Sequence, residues 1–60
     1  MSEYSAYLIT EAGTVAGVQS VYSDNDDEAL QIARRLLLET RFSSVEVWDH
    51  LNRVGTVDLE

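Results

Sequence analysis

Apolar and polar residues follow two different periods along this chain, and the period changes near its middle. Residues 4–10 and 14–22 are rich in aromatic and β-branched side chains, and Gly13 between them supplies the positive φ that a short hairpin loop needs. Residues 44–49 and 53–59 repeat this arrangement around "HLN". The pattern predicts two β-hairpins, one on each side of a central segment.

The central segment has the spacing of a helix. Apolar or weakly polar side chains recur at intervals of three and four and form one stripe, with Ile32 at its edge: Ala29, Leu30, Ala33, Leu36, Leu37 and Thr40. Arg41 lies near the expected carboxyl end. The order β-β-α-β-β predicts a single α+β domain over residues 1–60, with a four-stranded sheet and one helix packed on one face. The strand order stays open, although parallel second and third strands would need a right-handed crossover.

An acidic run, "DNDDE", precedes this helix. Asn25 followed three residues later by Glu28 resembles a capping box, and acidic side chains in the first turn suit the helix dipole. Asp24 is an alternative cap. A calcium loop beginning at Asp24 would need glycine at its sixth position and glutamate at its twelfth, where this chain has Ala29 and Arg35. The run is therefore interpreted as a helix start and not as a metal site.

Apolar side chains are expected on both faces of the sheet. Trp48 alternates with Val45 and Val47 and so lies on the opposite side of its strand. In the first strand, Tyr7 and Ile9 lie opposite another apolar set, formed by Tyr4, Ala6 and Leu8. A solvated antiparallel face would alternate to polar residues more cleanly. This excess of apolar side chains on both faces of the sheet predicts an interaction surface around Tyr7, Ile9 and Trp48. Leu38 on the outer helix face adds a further contact.

Composition narrows the function classes. The chain has 60 residues, four arginines, no lysine and 11 acidic residues, which gives a net charge of −7. Nucleic acid and anionic membrane are therefore not expected partners, because both need a basic patch. The chain has no cysteine and one histidine, which removes disulfides, thiolate zinc sites and thiol catalysis. Neither a secretion signal nor an apolar run of membrane-spanning length occurs, so a cytoplasmic protein is expected.

Catalysis has little support in the residues. His50 beside Asp49 is the only candidate acid-base centre, and a solvated turn is its ordinary explanation. Glu46 with Asp49 or Asp58 supplies carboxylate pairs, but a chain this short has little material to build a sugar cleft. The three glycines form no phosphate-binding loop, so no cofactor is expected.

Three segments, "YSAYLITEAGTV", "DNDDEALQIA" and "VEVWDHLNRV", resemble a group of small bacterial proteins of about this length that is common in alphaproteobacteria. The resemblance covers nearly the whole chain. His50 departs from the pattern, since similar proteins tend to have glycine there, and Asn52 stands where arginine is more usual. The resemblance implies a β-β-α-β-β fold and no established activity.

Three functions follow as expectations. The first is a non-catalytic interaction module that homodimerises through the apolar sheet face opposite the helix or, by another route, through a strand edge. A chain of 60 residues without disulfide or metal commonly gains stability from a partner subunit. The second is an acidic regulator that covers a basic surface of another protein, as an antitoxin or a nucleic-acid mimic does. The third is a small-ligand binder centred on His50 and Asp49.

Overall fold

The computed structural model describes residues 2–58 and confirms the predicted fold class. Its elements follow the order β-β-α-β-β: β1 (Ser2–Ile9), β2 (Val15–Ser23), α1 (Asp26–Glu39), β3 (Ser44–Asp49) and β4 (Asn52–Asp58). The predicted bounds of β3 are confirmed, whereas β1 and β2 begin and end one or two residues away from the predicted positions. Leu59, which was placed in the last strand, lies outside the described residues.

The four strands form one sheet in the order β2-β1-β3-β4, and every neighbouring pair is antiparallel. Because β1 runs antiparallel to both β2 and β3, those two strands are parallel to each other with β1 between them. The connection from β2 to β3 is α1, which crosses one face of the sheet. The sheet therefore has β2 at one edge and β4 at the other.

Two tight turns use left-handed backbone. Gly13 has φ of 84° and donates its N–H to the carbonyl of Thr10 at 2.9 Å, which closes the β1–β2 turn and confirms its predicted role. His50 has φ of 58° in the β3–β4 turn. Histidine is among the side chains that adopt this conformation more often than most.

The start of α1 is fixed by side-chain hydrogen bonds. Asn25 is the N-cap, and its Oδ1 accepts the Glu28 N–H at 2.8 Å, as the capping pattern predicts. The Glu28 carboxylate does not return to the Asn25 N–H. It accepts the Ser23 hydroxyl at 2.8 Å and the Asp24 N–H at 3.1 Å. These bonds lower the pKa of Glu28, with the Asp24 N–H the larger cause.

The carboxyl end of α1 is fixed by local hydrogen bonds. The helix ends at Glu39 with Thr40 as its C-cap, and its last turn contains no basic residue. Arg41 lies beyond the cap. The Thr40 hydroxyl and N–H both donate to the Leu37 carbonyl, each at 3.3 Å, so backbone groups at this end are bonded locally and not by an arginine.

The core lies between α1 and one face of the sheet, and it confirms the apolar stripe. The helix contributes Ala29, Ala33 and Leu37, and the sheet contributes a buried set formed by Tyr4, Ala6, Val21, Val45 and Val47. The two alanines are fully buried, and their small side chains let the helix lie close to the strands. Val45 and Val47 therefore face α1, which directs Glu46 and Trp48 to the other side.

One hydrogen bond joins the sheet to the first turn of the helix. The buried Tyr4 donates its hydroxyl to Asp26 Oδ1 at 2.8 Å. This bond to a carboxylate, together with desolvation, raises the pKa of Tyr4 to about 12. Asp26 thus serves the helix dipole and holds β1 against α1.

No helix within residues 2–58 has the length and apolar character needed to cross a membrane.

Candidate interaction surface

The side of the sheet opposite α1, here called the open face, is not covered by any other element of the described chain. Strand registers place Tyr7, Ile9 and Trp48 on it, together with Val15 and Val18 of β2. Tyr7 pairs with Val18, and Ile9 pairs with Val15. These five side chains form a contiguous group, here called the apolar patch. The predicted contacts Tyr7, Ile9 and Trp48 therefore lie together, as the sequence analysis placed them.

Exposure within the apolar patch is uneven. Val15 and Val18 are 59% and 60% exposed, whereas Tyr7, Ile9 and Trp48 are half-buried by their neighbours. Tyr22 is also exposed on the open face, but Ser20 separates it from Val18 along β2. The apolar patch thus extends from the edge strand β2 across β1 to Trp48 of β3.

Trp48 is held in a defined orientation. Its ring meets the ring of Tyr7 edge to face, with centroids 6.5 Å apart and planes at 88°. Its Nε1 donates to Glu46 Oε1 at 2.8 Å. Both contacts restrict the tryptophan before any partner binds, and the indole N–H already has its acceptor.

The half of the open face formed by β3 and β4 is polar, which the sequence did not show. Glu46 Oε2 lies 3.8 Å from Arg53 Nε, and Arg53 donates to the Thr56 hydroxyl at 2.9 Å. The apolar surplus is therefore confined to the β1–β2 half and its border at Trp48. The first strand alone contains no information on these neighbours, since the polar half comes from residues far away along the chain.

Leu38, the fourth predicted contact, does not join the others. It is 67% exposed on α1. The helix packs on the covered face of the sheet, so Leu38 and Trp48 point away from opposite sides of the molecule. A single partner surface does not reach both, and Leu38 is better treated as a separate exposed side chain.

The candidate acid-base pair, His50 and Asp49, lies in a solvent-exposed turn. His50 Nε2 lies 3.9 Å from Asp49 Oδ1, and the histidine side chain is 86% exposed. Glu46 is already bonded to Trp48 and lies beside Arg53. Within residues 2–58, no three histidine or acidic side chains are grouped so that they could hold a metal ion.

A groove that the sequence analysis missed runs between β2 and α1. It has a volume of about 320 Å³ and is lined by a mixed set of side chains: Gln19, Ser20, Val21, Tyr22, Ile32, Arg35, Leu36 and Glu39. Its position follows from β2 being an edge strand, which the sequence left open. The signal that was available is the complete lack of charge over residues 15–23.

Comparison of the chain with protein-family models, with curated proteins and with solved structures found no match in any of the three. The resemblance to small alphaproteobacterial proteins therefore stays a prediction of the sequence. Function has to be argued from the open face, the strand edges and their chemistry.

Proposed function

We propose that this protein is a non-catalytic interaction module that homodimerises through the apolar patch of the open face. The observation that carries the proposal is the Tyr7–Trp48 aromatic pair, which lies beside exposed valines on a sheet face that no described element covers. Tyrosine and tryptophan are among the side chains that most often dominate binding energy at protein interfaces. A cytoplasmic location is part of the same proposal.

The orientation of Trp48 favours burial in an interface. Because Glu46 accepts its Nε1–H, covering the ring leaves no donor without a partner. The ring is also packed against Tyr7, so little side-chain freedom remains to be lost on binding. A two-fold dimer places the apolar patch of one copy against the apolar patch of the other. This arrangement suits an open face on which one half is apolar and the other half is polar.

The size of the open face bounds the strength of such a dimer. The two longest extents of the molecule are 31 and 20 Å. A flat rectangle of these dimensions has an area of about 600 Å², whereas a standard interface buries roughly 800 Å² on each partner. We therefore expect a dimer that dissociates on dilution through the micromolar range.

Net charge makes the salt dependence of the dimer diagnostic. Each chain has a net charge of −7, so bringing two copies together is opposed by repulsion. Salt screens that repulsion, and the homodimer should become tighter as salt is added. An acidic regulator bound to a basic partner would respond in the opposite direction, because screening weakens attraction between unlike charges.

The test is sedimentation equilibrium of the wild type and of W48E and V18E at two salt concentrations. Both substitutions put a carboxylate into the apolar patch. They should weaken dimerisation by roughly thirtyfold or more, which corresponds to the ~2 kcal/mol that defines a hot-spot residue. L51E is the matched control, since it adds the same charge at a turn leucine that is 91% exposed.

Two results would count against the apolar patch. One is an unchanged dissociation constant in both W48E and V18E while L51E also stays unchanged. The other is a dimer that weakens with added salt. L38E separates the predicted helix contact from the patch, because it should change neither mass nor affinity if the interface lies on the open face.

A further inference from the structure

The two edges of the sheet are protected differently. Soluble proteins commonly guard an edge strand with charge, proline or a bulge. β4 has Arg53 and Asp58 within it and a bulge in its pairing with β3. β2 is longer, with nine residues, and its pairing with β1 also has a bulge, at Ile9, but its sequence VAGVQSVYS contains neither charge nor proline. The β2 edge is therefore the one left unguarded by charge or proline.

The backbone of β2 points hydrogen-bonding groups outward at its centre. The Ile9 carbonyl accepts the Ser43 N–H at 2.9 Å, so Ile9 directs its backbone groups towards β3. Bonding direction alternates along an antiparallel strand, which gives Ser5 the same direction. Its partner on β2 is Ser20, whose N–H and carbonyl then face away from β1. The same alternation applies to two further β2 residues, Val18 and Tyr22.

The groove beside this edge is self-complementary in charge. Arg35 and Glu39 both line it and lie one helical turn apart on α1. Neither side chain forms an ion pair or hydrogen bond with another residue in the range 2–58. An antiparallel copy of the same helix presents these two charges in reverse order, so each arginine would face a glutamate.

We propose that a second copy of this chain pairs with the β2 edge, strand β2 antiparallel to strand β2, about a two-fold axis near Ser20. The axis is perpendicular to the sheet, so both helices stay on the same side and run antiparallel. Arg35 of one copy then faces Glu39 of the other across the joined grooves, twice by symmetry. The two four-stranded sheets become one continuous sheet.

This interface is distinct from the open-face dimer, although Val18 borders both. A dimer formed through the open face has its two-fold axis in the plane of the sheet, whereas the edge pairing has its axis perpendicular to that plane. Perpendicular two-fold axes that intersect close into a tetramer of D2 symmetry. Four copies of the chain are therefore the expected assembly at high concentration if both interfaces form and their axes meet.

The test is the molar mass by sedimentation equilibrium of S20P and S20A, each alone and combined with W48E. S20P removes the outward N–H and is tolerated at an edge because that N–H makes no bond to β1. S20A is the matched control, since it also loses the hydroxyl bond to Glu3 but keeps the N–H. We expect S20P to halve the largest assembly, S20A to leave it unchanged, and S20P with W48E to be monomeric.

An unchanged mass and dissociation constant in folded S20P would overturn the edge pairing. Failure of the open-face dimer is separate, because it shows as a W48E mass equal to that of the wild type whatever S20P does.

A charge exchange tests the edge without altering the backbone. R35E places two carboxylates opposite each other and should weaken assembly at least tenfold, whereas R35E/E39R restores unlike pairs and should recover it. If R35E/E39R assembled as weakly as R35E, the proposed placement of the two helices facing each other would be refuted.

Discussion

Adjacent leucines of α1 give the sharpest test of how this small fold is stabilised. Leu37 is 1% exposed in the core, and Leu38, the next residue, is 67% exposed. Substitution by alanine removes the same three carbon groups at both positions. Any difference in the free energy of unfolding therefore reports burial and not side-chain chemistry.

The expected magnitude follows from the burial of Leu37. Three carbon groups at about 0.8 kcal/mol each give a transfer term of about 2.4 kcal/mol. The cavity left behind raises the usual range for such changes to about 2–5 kcal/mol. A single core in a chain of this size rarely supplies more than about 3–5 kcal/mol, so L37A should be largely unfolded at 25 °C. L38A should stay within about 0.5 kcal/mol of the wild type, because the side chain is mostly exposed and alanine favours helix.

The assay is urea unfolding followed by far-ultraviolet circular dichroism and by Trp48 fluorescence. All three proteins are compared at one low concentration, since self-association would stabilise the folded state by mass action. Similar unfolding free energies for L37A and L38A, or a larger loss in L38A, would refute the helix orientation. A helix rotated by one residue position would exchange the two outcomes.

The hydrogen bonds around the helix start give three further predictions. N25A should lose about 1 kcal/mol of stability in urea unfolding, because the Glu28 N–H loses its cap acceptor; an unchanged midpoint would contradict the cap. The pKa of Glu28 is lowered by folding, so its contribution is present above the pKa of the unfolded chain and is lost as pH falls through the folded value; E28Q should flatten the acid side of the stability profile, and a profile like that of the wild type would remove this role. The pKa of Tyr4 is raised to about 12, so its contribution is full below pH 10 and is lost as pH rises towards 12. Thermal melts of Y4F should show less loss over that interval, and an equal loss in both proteins would assign alkaline unfolding to other groups.

Local signals in the sequence predict most of the elements of this fold. The apolar stripe of α1, the cap at Asn25, the positive φ of Gly13 and the bounds of β3 are confirmed, because each depends on residues within one turn or one strand. The Tyr4–Asp26 bond and the burial of Ser23 were not predicted. Both depend on which strand lies beside the helix start, and local periodicity contains no information on that pairing.

The candidate interaction surface is likewise predicted only in part by the sequence. Alternation along β1 and β3 is enough to place Tyr7, Ile9 and Trp48 on one face, and the structure confirms that placement. Alternation does not say which face the helix covers, nor which strand becomes an edge. The polar half of the open face and the unguarded β2 edge therefore emerge only with the strand order β2-β1-β3-β4. The expected contact at Leu38 is separate from these three, because it lies on the helix side of the molecule, opposite the open face.

The central position of β1 also constrains how this chain reaches its folded state. β1 finds one partner, β2, across a short turn, but its register with β3 joins Ser5 to Trp48, and most of the chain lies between them. A lone β1–β2 hairpin is marginal in water, so neither the sheet centre nor the core is complete until the helix and β3 have docked. Folding is then expected to be one cooperative event and not a stepwise addition of hairpins. A fragment lacking β3 and β4 would expose both β1 and the unguarded β2 as edges, which makes premature truncation a direct route to aggregation.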